Sequence, residues 1–378
     1  MRTNKPYKDE NGEWKSERNL ALQHRMPWVE YSQPGTYMIT LCTNGRKPLF
    51  GQLVATDNDP SNANIHASAV GRIVEQEWNN ISTHEPAIIV QGIQLMPDHI
   101  HGILYVKQKM EHPLGQVIRG FKMRCTSIYR ALMHDDMKKP TPQDGKTSLT
   151  ISQRREIAKH SLWEPNYNDR IAYTKERLET LLAYMHDNPR RLALKRRNPA
   201  YFALMRNVTI ATPYGELTFS AMGNMHLLDK QDKQVVQCSR SLTHGEENDE
   251  YRALMHDALE RAKAETVTIS AAISKGEQMI CKTIREKGLP LIILMKDGFP
   301  SQDDPKSKYY KPGGVLFEGC AKGQLLLMEP IPETFELNAI KAVVYQRSPD
   351  IPSTSMRYRF LALNEIARLI ATTSFIVH

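Results

Sequence analysis

The sequence predicts a mixed α+β protein built from two parts. In the first part, two β-rich segments are joined by a tight Pro-Asp turn and are followed by long amphipathic helices, which fits an antiparallel sheet packed against helices. In the second part, uninterrupted apolar strands alternate with helices, the pattern of a parallel sheet covered on both faces. The change falls near residue 205, so we predict domains at 1–205 and 206–378.

After a polar lead-in at 1–33, three strands and three helices are predicted in the first part. The strands are 35–43, 87–96 and 99–107, and the helices are 64–81, 113–133 and 174–189. Thr174 is placed to cap the last helix, which carries a leucine stripe. We expect Pro189 to end it, because proline lacks the amide hydrogen that a continuing helix uses.

The second part alternates strands and helices. Strands are predicted at 233–243, 266–274, 289–298 and 323–330, helices at 251–265 and 276–288, and a helix running into a final strand at 360–378. The strand at 289–298 is almost continuously apolar, as expected for a strand buried on both faces. A phosphate-binding loop at Gly145-Lys146-Thr147 is excluded, because Pro140 stands where that motif needs glycine.

Composition indicates a globular protein with a basic surface. The formal net charge is +8, which favours a polyanionic partner such as nucleic acid without requiring one. No apolar run is long enough for a membrane span, and the polar N-terminus predicts no export. The cysteines are odd in number and form no CxxC pair, so we expect neither disulfides nor a cysteine zinc site, and a cytoplasmic location. They are Cys42, Cys125, Cys238, Cys281 and Cys320.

The most informative stretch is "MPDHIHGIL" at 96–104, which has two histidines one residue apart on a predicted strand. Alternate side chains of a strand share a face, so His99 and His101 point the same way. Three interpretations stand: a structural pair, a zinc site, and an open two-histidine site that presents a cation to a phosphodiester. Structural zinc needs four ligands and no cysteine lies nearby, which argues against a zinc site.

This stretch resembles the HUH signature (histidine, bulky apolar residue, histidine) of single-tyrosine transposases, especially the REP-associated tyrosine transposases. That family also carries a helix with the pattern Tyr-x-x-x-Asn-Pro, and this sequence has "YMHDNP" at 184–189 after a tryptophan-proline segment, "WEPNY". The segments "YSQPGTYMITLCT" and "FKMRCTSIY" are similar to the family as well. The resemblance spans about residues 28–200.

The resemblance implies a ferredoxin-like sandwich with an antiparallel sheet, the HUH endonuclease fold. It implies that Tyr184 is the nucleophile and that His99, His101 and Asn188 bind Mg²⁺ or Mn²⁺. The chemistry is consistent with these residues, since a tyrosine oxygen can hold a phosphate through two transesterifications without ATP. The implied substrate is single-stranded DNA, hairpin-forming in this family.

Tyr184 has a simpler interpretation as a half-buried helix tyrosine. Against it, Tyr184 lies roughly 110° from the centre of the leucine stripe at 3.6 residues per turn, and Asn188 lies on the same flank. His186 points to the opposite flank and is expected at the surface. Tyr309-Tyr310 is a rival nucleophile pair, in a Pro/Gly loop of the other domain without metal ligands nearby.

Two basic clusters are candidates for DNA phosphate contacts, with a solvated face as the equally weighted alternative for the second. The first lies on the helix at 113–133 and the second follows Pro189. They comprise Arg119, Lys122 and Arg124, and Arg190, Arg191, Lys195, Arg196 and Arg197.

The second part resembles the DNA-processing protein A family, Rossmann-like proteins that bind single-stranded DNA, through "VVQCSRSLT", "TISAAISKGEQM" and "GQLLLMEP". The resemblance implies phosphate binding near Ser239-Arg240 and Ser274-Lys275-Gly276. Ala271-Ala272 and Met328-Glu329 depart from the family pattern. A Rossmann-like scaffold without a ligand site is therefore an equal alternative.

Together these patterns predict a metal-dependent tyrosine transposase, a nuclease and strand transferase for single-stranded DNA, acting as a monomer or a homodimer. Two alternatives remain open: a single-strand binding protein without catalysis, and a metal-dependent DNA hydrolase that uses water. A covalent protein–DNA adduct separates the first function from the other two.

Overall fold

The computed structural model describes residues 29–55, 59–138, 160–238, 249–299 and 312–377, with residue 152 and two short strands near the N-terminus. The chain divides into two compact units, Met1–Leu194 and Lys195–His378. Both contain helices and sheets, so the prediction of a mixed α/β protein is confirmed. Within the described ranges, no helix is both long and apolar enough to cross a bilayer.

The first unit starts with strands and ends in a long helix that continues to residue 197. Its described strands are β1 Tyr7–Lys8, β2 Trp14–Lys15, β3 Gly35–Cys42, β4 Gly51–Val54, β5 Asn64–Ala67, β6 Ile88–Met96, β7 His99–Val106 and β8 Asn168–Ala172. Its helices are α1 Ala69–Asn79, α2 Ile81–His84, α3 Leu114–Lys138 and α4 Lys175–Arg197.

A four-stranded antiparallel sheet, in the order β6-β7-β3-β8, forms the centre of this unit. In its register His101 of β7 lies opposite Thr40 of β3 and Gln94 of β6. Because side chains alternate along a strand, His99, His101 and Ile103 share one face of β7. The two faces of this sheet have separate apolar clusters.

One face is covered by α1 and α3, which bury a large aromatic core. Trp78 of α1 is fully buried and meets Phe121 of α3 edge-on, with 5.2 Å between ring centroids. The Trp78 ring also lies directly on Gly102, where a Cβ would come within 2.1 Å of its Cζ2 atom. The glycine after the histidine pair is therefore required by packing on the face opposite the histidines.

The other face is covered by α4 through the predicted leucine stripe. Leu181 and Met185 pack with Met38 of β3 and Ile103 of β7 in one buried cluster, and Tyr184 packs at its margin. The face of the sheet that carries His99 and His101 is thus the face on which α4 lies.

The prediction that Pro189 ends this helix is wrong, because α4 continues to Arg197 with Pro189 inside it. Proline cannot donate the backbone hydrogen bond that would normally reach the carbonyl of Met185. The Asn188 side chain fills this gap, since its Nδ2 lies 3.3 Å from Met185 O and 2.8 Å from Tyr184 O. A side-chain amide therefore stabilises the helix where the backbone donor is missing.

The predicted helix at 64–81 begins later than expected. Residues 64–67 form β5, which pairs with β4 in a two-stranded antiparallel ribbon. Ser68 then starts α1 by accepting a hydrogen bond from Gly71 N at 3.0 Å. Ser68 is therefore the N-cap of α1. The helical spacing of apolar residues over 64–81 did not indicate this boundary.

The second unit contains a seven-stranded sheet with helices on both faces. Its strands are β9 Met205–Thr212, β10 Gly215–Gly223, β11 Lys233–Cys238, β12 Val267–Ser270, β13 Leu291–Leu294, β14 Leu325–Pro330 and β15 Thr373–Val377. Its helices in the described residues are α5 Asp249–Lys263, α6 Lys275–Glu286, α7 Gly314–Ala321, α8 Pro332–Phe335, α9 Asn338–Arg347 and α10 Met356–Ile370.

The strand order is β15-β11-β12-β13-β14-β10-β9. The first five strands are parallel, as the apolar segments predicted, and β10 and β9 extend the sheet with antiparallel pairing that the sequence analysis did not foresee. One face packs on α5, α6 and α7, and the other on α9 and α10. All five cysteines are buried free thiols.

Candidate active site

The two histidines of β7 lie against each other on the α4 face of the sheet. Their ring centroids are 4.8 Å apart and the rings are nearly perpendicular. His101 is buried, and the His99 side chain is 16% exposed. The alternation predicted from the His-x-His spacing therefore places two imidazoles side by side in a sheltered position.

Each histidine is held through its Nδ1 atom by a different neighbour. His99 Nδ1 lies 2.6 Å from Asp98 Oδ1, and His101 Nδ1 lies 2.8 Å from Thr40 Oγ1. With the proton on Nδ1, each ring would have Nε2 as the atom that can bind a metal. Burial would raise the pKa of the Asp98 carboxyl, but its hydrogen bond to His99 and the charges of His99 and Arg46 hold that pKa below its ordinary value.

Tyr184 of α4 lies beside this pair. Its ring centroid is 5.8 Å from that of His101, and the two rings are tilted by 64°. The side chain is half-buried and also touches the apolar cluster beneath α4. The structure thus brings together the tyrosine and the histidines, which are far apart in the sequence.

Two arginines lie near the Tyr184 ring. The guanidinium carbons of Arg170, on β8, and Arg191, two turns along α4, are each 5.7 Å from the ring centroid. Arg191 is buried, which is unusual for arginine, and one of its nitrogens lies 4.0 Å from Asp187. Arg191 was predicted as a DNA contact, whereas Arg170 was not predicted at all.

Asn188 lies one turn beyond Tyr184 and is buried. Its amide nitrogen is directed to the carbonyls of Tyr184 and Met185, as described for α4, so its oxygen is the atom that could bind a cation. A structural role in the helix and a ligand role are compatible for the two ends of this amide.

The histidine pair fits an open metal site with further ligands of another kind. Across the part of the chain that the structure describes, no three His, Cys, Asp or Glu side chains are grouped to hold a metal ion. A cation on His99 and His101 would therefore need an amide oxygen, water or substrate phosphate as well. Imidazole with oxygen ligands suits Mn²⁺ and is compatible with Mg²⁺.

The residues of the two predicted basic clusters have different partners in the structure. Arg124 pairs with Glu77 at 2.9 Å, and Arg190 pairs with Asp187 at 2.5 Å. Lys195 lies over the Phe202 and Phe317 rings, at 5.9 and 5.5 Å. Of the other members, Arg119, Arg196 and Arg197 are exposed, Lys122 is half-buried on α3, and Arg191 is buried beside Tyr184.

The predicted phosphate-binding turn at Ser274-Lys275-Gly276 is occupied by a carboxylate of the chain. Ser274 caps α6, and Glu277 accepts hydrogen bonds from the backbone N–H groups of Cys238, Ile273 and Ser274, at 3.1, 2.7 and 3.3 Å. These are donors that a phosphate would use. Two other predicted features, Ser239-Arg240 and Tyr309-Tyr310, lie outside the described residues.

Comparisons with known proteins yield distant relatives. No protein-family model matches the chain. An uncharacterized protein of Haemophilus influenzae (strain ATCC 51907 / DSM 11121 / KW20 / Rd) is 23% identical over 184 residues, which is 46% of this chain and 87% of the relative.

Two solved structures were also found. One is a REP-associated tyrosine transposase bound to a REP hairpin, at 12% identity and a TM-score of 0.27, covering 43% of this chain and 70% of that one. The other is a candidate transposase from Deinococcus radiodurans R1, at 13% identity and a TM-score of 0.24, covering 42% of this chain and 94% of that one. TM-scores this low do not establish a shared fold.

Proposed function

We propose that the first unit is a tyrosine-nucleophile nuclease and strand transferase for single-stranded DNA, of the HUH transposase type. Its four-stranded sheet would be the ferredoxin-like sandwich of that type, and the sheet of the second unit a Rossmann-like scaffold. The observation that carries the proposal is the position of the Tyr184 ring, 5.8 Å from a histidine that is itself held at Nδ1 beside a second histidine.

The proposed reaction exchanges one phosphate ester for another. The Tyr184 hydroxyl oxygen forms a bond to phosphorus, the bond from phosphorus to one deoxyribose oxygen breaks, and the phenolic proton passes to the oxygen that leaves. A deoxyribose hydroxyl later attacks the phosphotyrosine, which restores a phosphodiester and the free tyrosine. No bond energy is lost to water, so the chain needs no nucleotide cofactor.

Positive charge near the phosphate is the second requirement of this reaction. Mg²⁺ or Mn²⁺ held by His99, His101 and Asn188 would withdraw charge from the phosphate oxygens. The guanidinium groups of Arg170 and Arg191, each 5.7 Å from the centroid of the Tyr184 ring, would hold the same phosphate and the phosphotyrosine. Buried Arg191 is the stronger of the two, because it is screened less by water.

Tyr184→Phe tests the proposal, since it removes a single oxygen. Purified protein is incubated with hairpin-containing single strands and Mn²⁺, and a DNA–protein complex that survives denaturation is sought on a gel. We expect the complex with the wild-type chain, its absence with Tyr184→Phe, and its persistence with Tyr173→Phe, a control at an exposed tyrosine of the same unit.

The assay also separates the alternatives. Cleavage without a denaturation-resistant complex would identify a hydrolase that uses water. Binding without cleavage would identify a single-strand binding protein. An adduct of undiminished yield with Tyr184→Phe would assign the nucleophile to another residue and overturn the proposal.

A further inference from the structure

The dipeptide Asn-Pro occurs twice in the chain, at Asn188-Pro189 and at Asn198-Pro199. Pro189 is buried inside α4, whereas Pro199 is exposed and begins the short 3₁₀ helix Pro199–Phe202. Proline is well tolerated at the start of a helix, where the first N–H groups have no partner within that helix, but it is unfavourable in a helix interior. The position of Pro189 therefore needs an explanation that the position of Pro199 does not.

The missing backbone donor of Pro189 determines what the Asn188 side chain contacts. A residue with a backbone N–H at this position would donate to the carbonyl of Met185, one turn earlier. In its absence Asn188 Nδ2 donates to Met185 O at 3.3 Å and to Tyr184 O at 2.8 Å. An amide nitrogen carries two hydrogens, so α4 itself uses both donors of this side chain.

These two contacts permit only one orientation of the Asn188 amide. Reversing it would place Oδ1 against two carbonyl oxygens, and an oxygen that only accepts hydrogen bonds cannot bond to either of them. Asn188 is buried, so the reversed orientation would leave polar atoms unpaired away from water. The nitrogen is therefore fixed on the helix, and the oxygen is held away from the two carbonyls.

The second Asn-Pro pair shows that the dipeptide alone does not fix the asparagine. Asn198 precedes its helix, and its side chain accepts no capping hydrogen bond from the described residues that follow it. The fixed amide at Asn188 thus depends on having the proline inside a helix, where the missing N–H leaves a carbonyl of the same helix to be satisfied.

The fixed amide belongs to the same turn of α4 as Tyr184, the tyrosine whose ring meets His101. Both Asn188 and His101 are buried. Amide oxygens are ligands that suit Mg²⁺ and Mn²⁺. A ligand that is oriented before the cation arrives loses little conformational freedom when it binds, which favours affinity.

We propose that Pro189 is a positioning residue for the cation site. By leaving Met185 O without its backbone donor, it fixes the Asn188 amide so that Oδ1 is available to a divalent cation held by His99 and His101. Pro189 touches neither the cation nor DNA and acts through Asn188. The proposal rests on the proposed function, which assigns Mg²⁺ or Mn²⁺ to these side chains, and it explains why proline interrupts this helix.

The test measures the affinity for Mn²⁺ in the absence of DNA, by following the free ion with electron paramagnetic resonance. Pro189→Ala and Pro189→Val both restore the backbone N–H, and valine keeps a buried side chain of comparable size. We expect each to weaken Mn²⁺ binding about tenfold, as is typical for residues that orient metal ligands. Pro199→Ala, the matched control, should leave the affinity unchanged.

A double-mutant cycle shows whether the proline acts through the asparagine. Asn188→Ala should weaken Mn²⁺ binding at least as much as Pro189→Ala, and combining the two should cause no further loss. Urea denaturation of the metal-free chain provides a second cycle. Asn188→Ala should lower the denaturation midpoint in the wild-type background and much less in the Pro189→Ala background, because the restored N–H then donates to Met185 O.

Three results would overturn the proposal. The first is wild-type affinity for Mn²⁺ in both Pro189→Ala and Pro189→Val. The second is a loss in Pro189→Ala alone, which would assign the effect to the volume of the buried side chain. The third is a loss that adds fully to that of Asn188→Ala. A wild-type chain that binds neither Mn²⁺ nor Mg²⁺ would also overturn it.

The measurement keeps this failure distinct from that of the proposed function. It uses no DNA and does not require the Tyr184 hydroxyl, so Tyr184→Phe should bind Mn²⁺ like the wild type. An adduct that still forms in Tyr184→Phe would overturn the nuclease, and the affinities would decide the role of Pro189 by themselves. An adduct that requires Tyr184, together with wild-type affinity in Pro189→Ala and Pro189→Val, would keep the nuclease and reject the positioning role.

Discussion

Buried polar side chains are arranged differently in the two units. In the first unit His101, Asn188 and Arg191 are all buried near Tyr184. The His101 ring contacts the Tyr184 ring, and Asn188 and Arg191 follow Tyr184 by one and two turns of α4. In the second unit Gln237 donates to Asn364 O at 2.6 Å, and the Glu277 carboxylate binds three backbone N–H groups. The first set lies around Tyr184, while the second connects β11 to helix α10 and to the residues at the start of α6.

The difference indicates where chemistry resides. Polar groups that are occupied by the backbone stabilise a fold and offer little to a ligand, whereas polar groups that surround a nucleophile are retained at a cost that function can explain. Under the proposed function, the first unit would carry the reactive groups and the described part of the second unit would act as a scaffold. Substitutions in the two units should then affect different measurements.

The largest effect is expected from replacing both histidines. His99→Ala with His101→Ala should abolish the covalent adduct, because the site loses the two groups that hold the cation. Mn²⁺ should raise the melting temperature of the wild-type chain, by an amount equivalent to about 2.7 kcal/mol at 100 times Kd, and should leave the double variant unchanged. Thermal melts with and without Mn²⁺ measure this.

His186→Ala provides the matched control, since His186 is on the same helix as Tyr184 but exposed. It should keep both the adduct and the response to Mn²⁺. A double variant that is stabilised by Mn²⁺ as strongly as the wild type would place the cation elsewhere and make the histidine pair structural.

The next effect concerns the second unit alone. Glu277→Ala should lower the free energy of unfolding by about 3 kcal/mol, because three backbone N–H groups lose their buried acceptor. Glu277→Gln keeps an acceptor oxygen and should cost less. Adduct formation at a temperature where the variant remains folded should be unchanged. A loss of adduct in folded Glu277→Ala protein would show that the two units are functionally coupled and would weaken the contrast drawn between them.

Within the first unit, a pair of glycines tests the packing behind the histidines. Gly102→Ala forces a methyl group into the Trp78 ring and should destabilise the chain by about 1–3 kcal/mol. Gly120→Ala, on α3, brings a methyl group only to 3.4 Å from the flexible Arg124 side chain and should stabilise the helix by about 1 kcal/mol. Chemical denaturation compares the two. Equal effects would mean that α1 can shift away from the sheet.

The site illustrates what local sequence can predict. The His-x-His alternation and the Tyr-to-Asn spacing depend on the geometry of one strand and one helix, and the structure has these residues in those elements. Thr40, which is 61 residues from His101, could not be found this way, because only the register between β3 and β7 brings them together. Arg170 was missed for the same reason, since it reaches Tyr184 from another strand.

Two departures of the fold from its prediction have local physical causes. Pro189 was expected to end α4, and it does not because the preceding asparagine supplies a replacement donor. The β9–β10 pair was not foreseen, although β9 alternates between exposed and half-buried residues, which is the pattern of an edge strand with one wetter face. The first depends on side-chain geometry, whereas the second is visible in the sequence, where apolar Val208 and Ile210 alternate with polar residues.

The smallest expected effect is a pH dependence at Lys122, a predicted DNA contact in the groove between α3 and the segment 161–167. Burial lowers the pKa of the Lys122 ammonium to about 8, against an opposing effect of the Glu164 and Cys42 charges. Arg119 and Arg130, which line the same groove, stay charged. As the pH rises through 8, Lys122 loses its proton, and single-strand affinity should fall a few-fold with a salt slope smaller by about 0.7.

Stability should change in the opposite direction: between pH 8 and the ordinary pKa of 10.5 the unfolded chain binds more protons, so the free energy of unfolding rises with pH. Lys122→Arg keeps its charge throughout and should remove both trends. Anisotropy titrations and denaturation curves at pH 7 and pH 9, for the wild type and this variant, measure the difference. Identical pH trends in the two chains would show that Lys122 keeps its proton at pH 9, and the groove would then hold its full positive charge over the whole range.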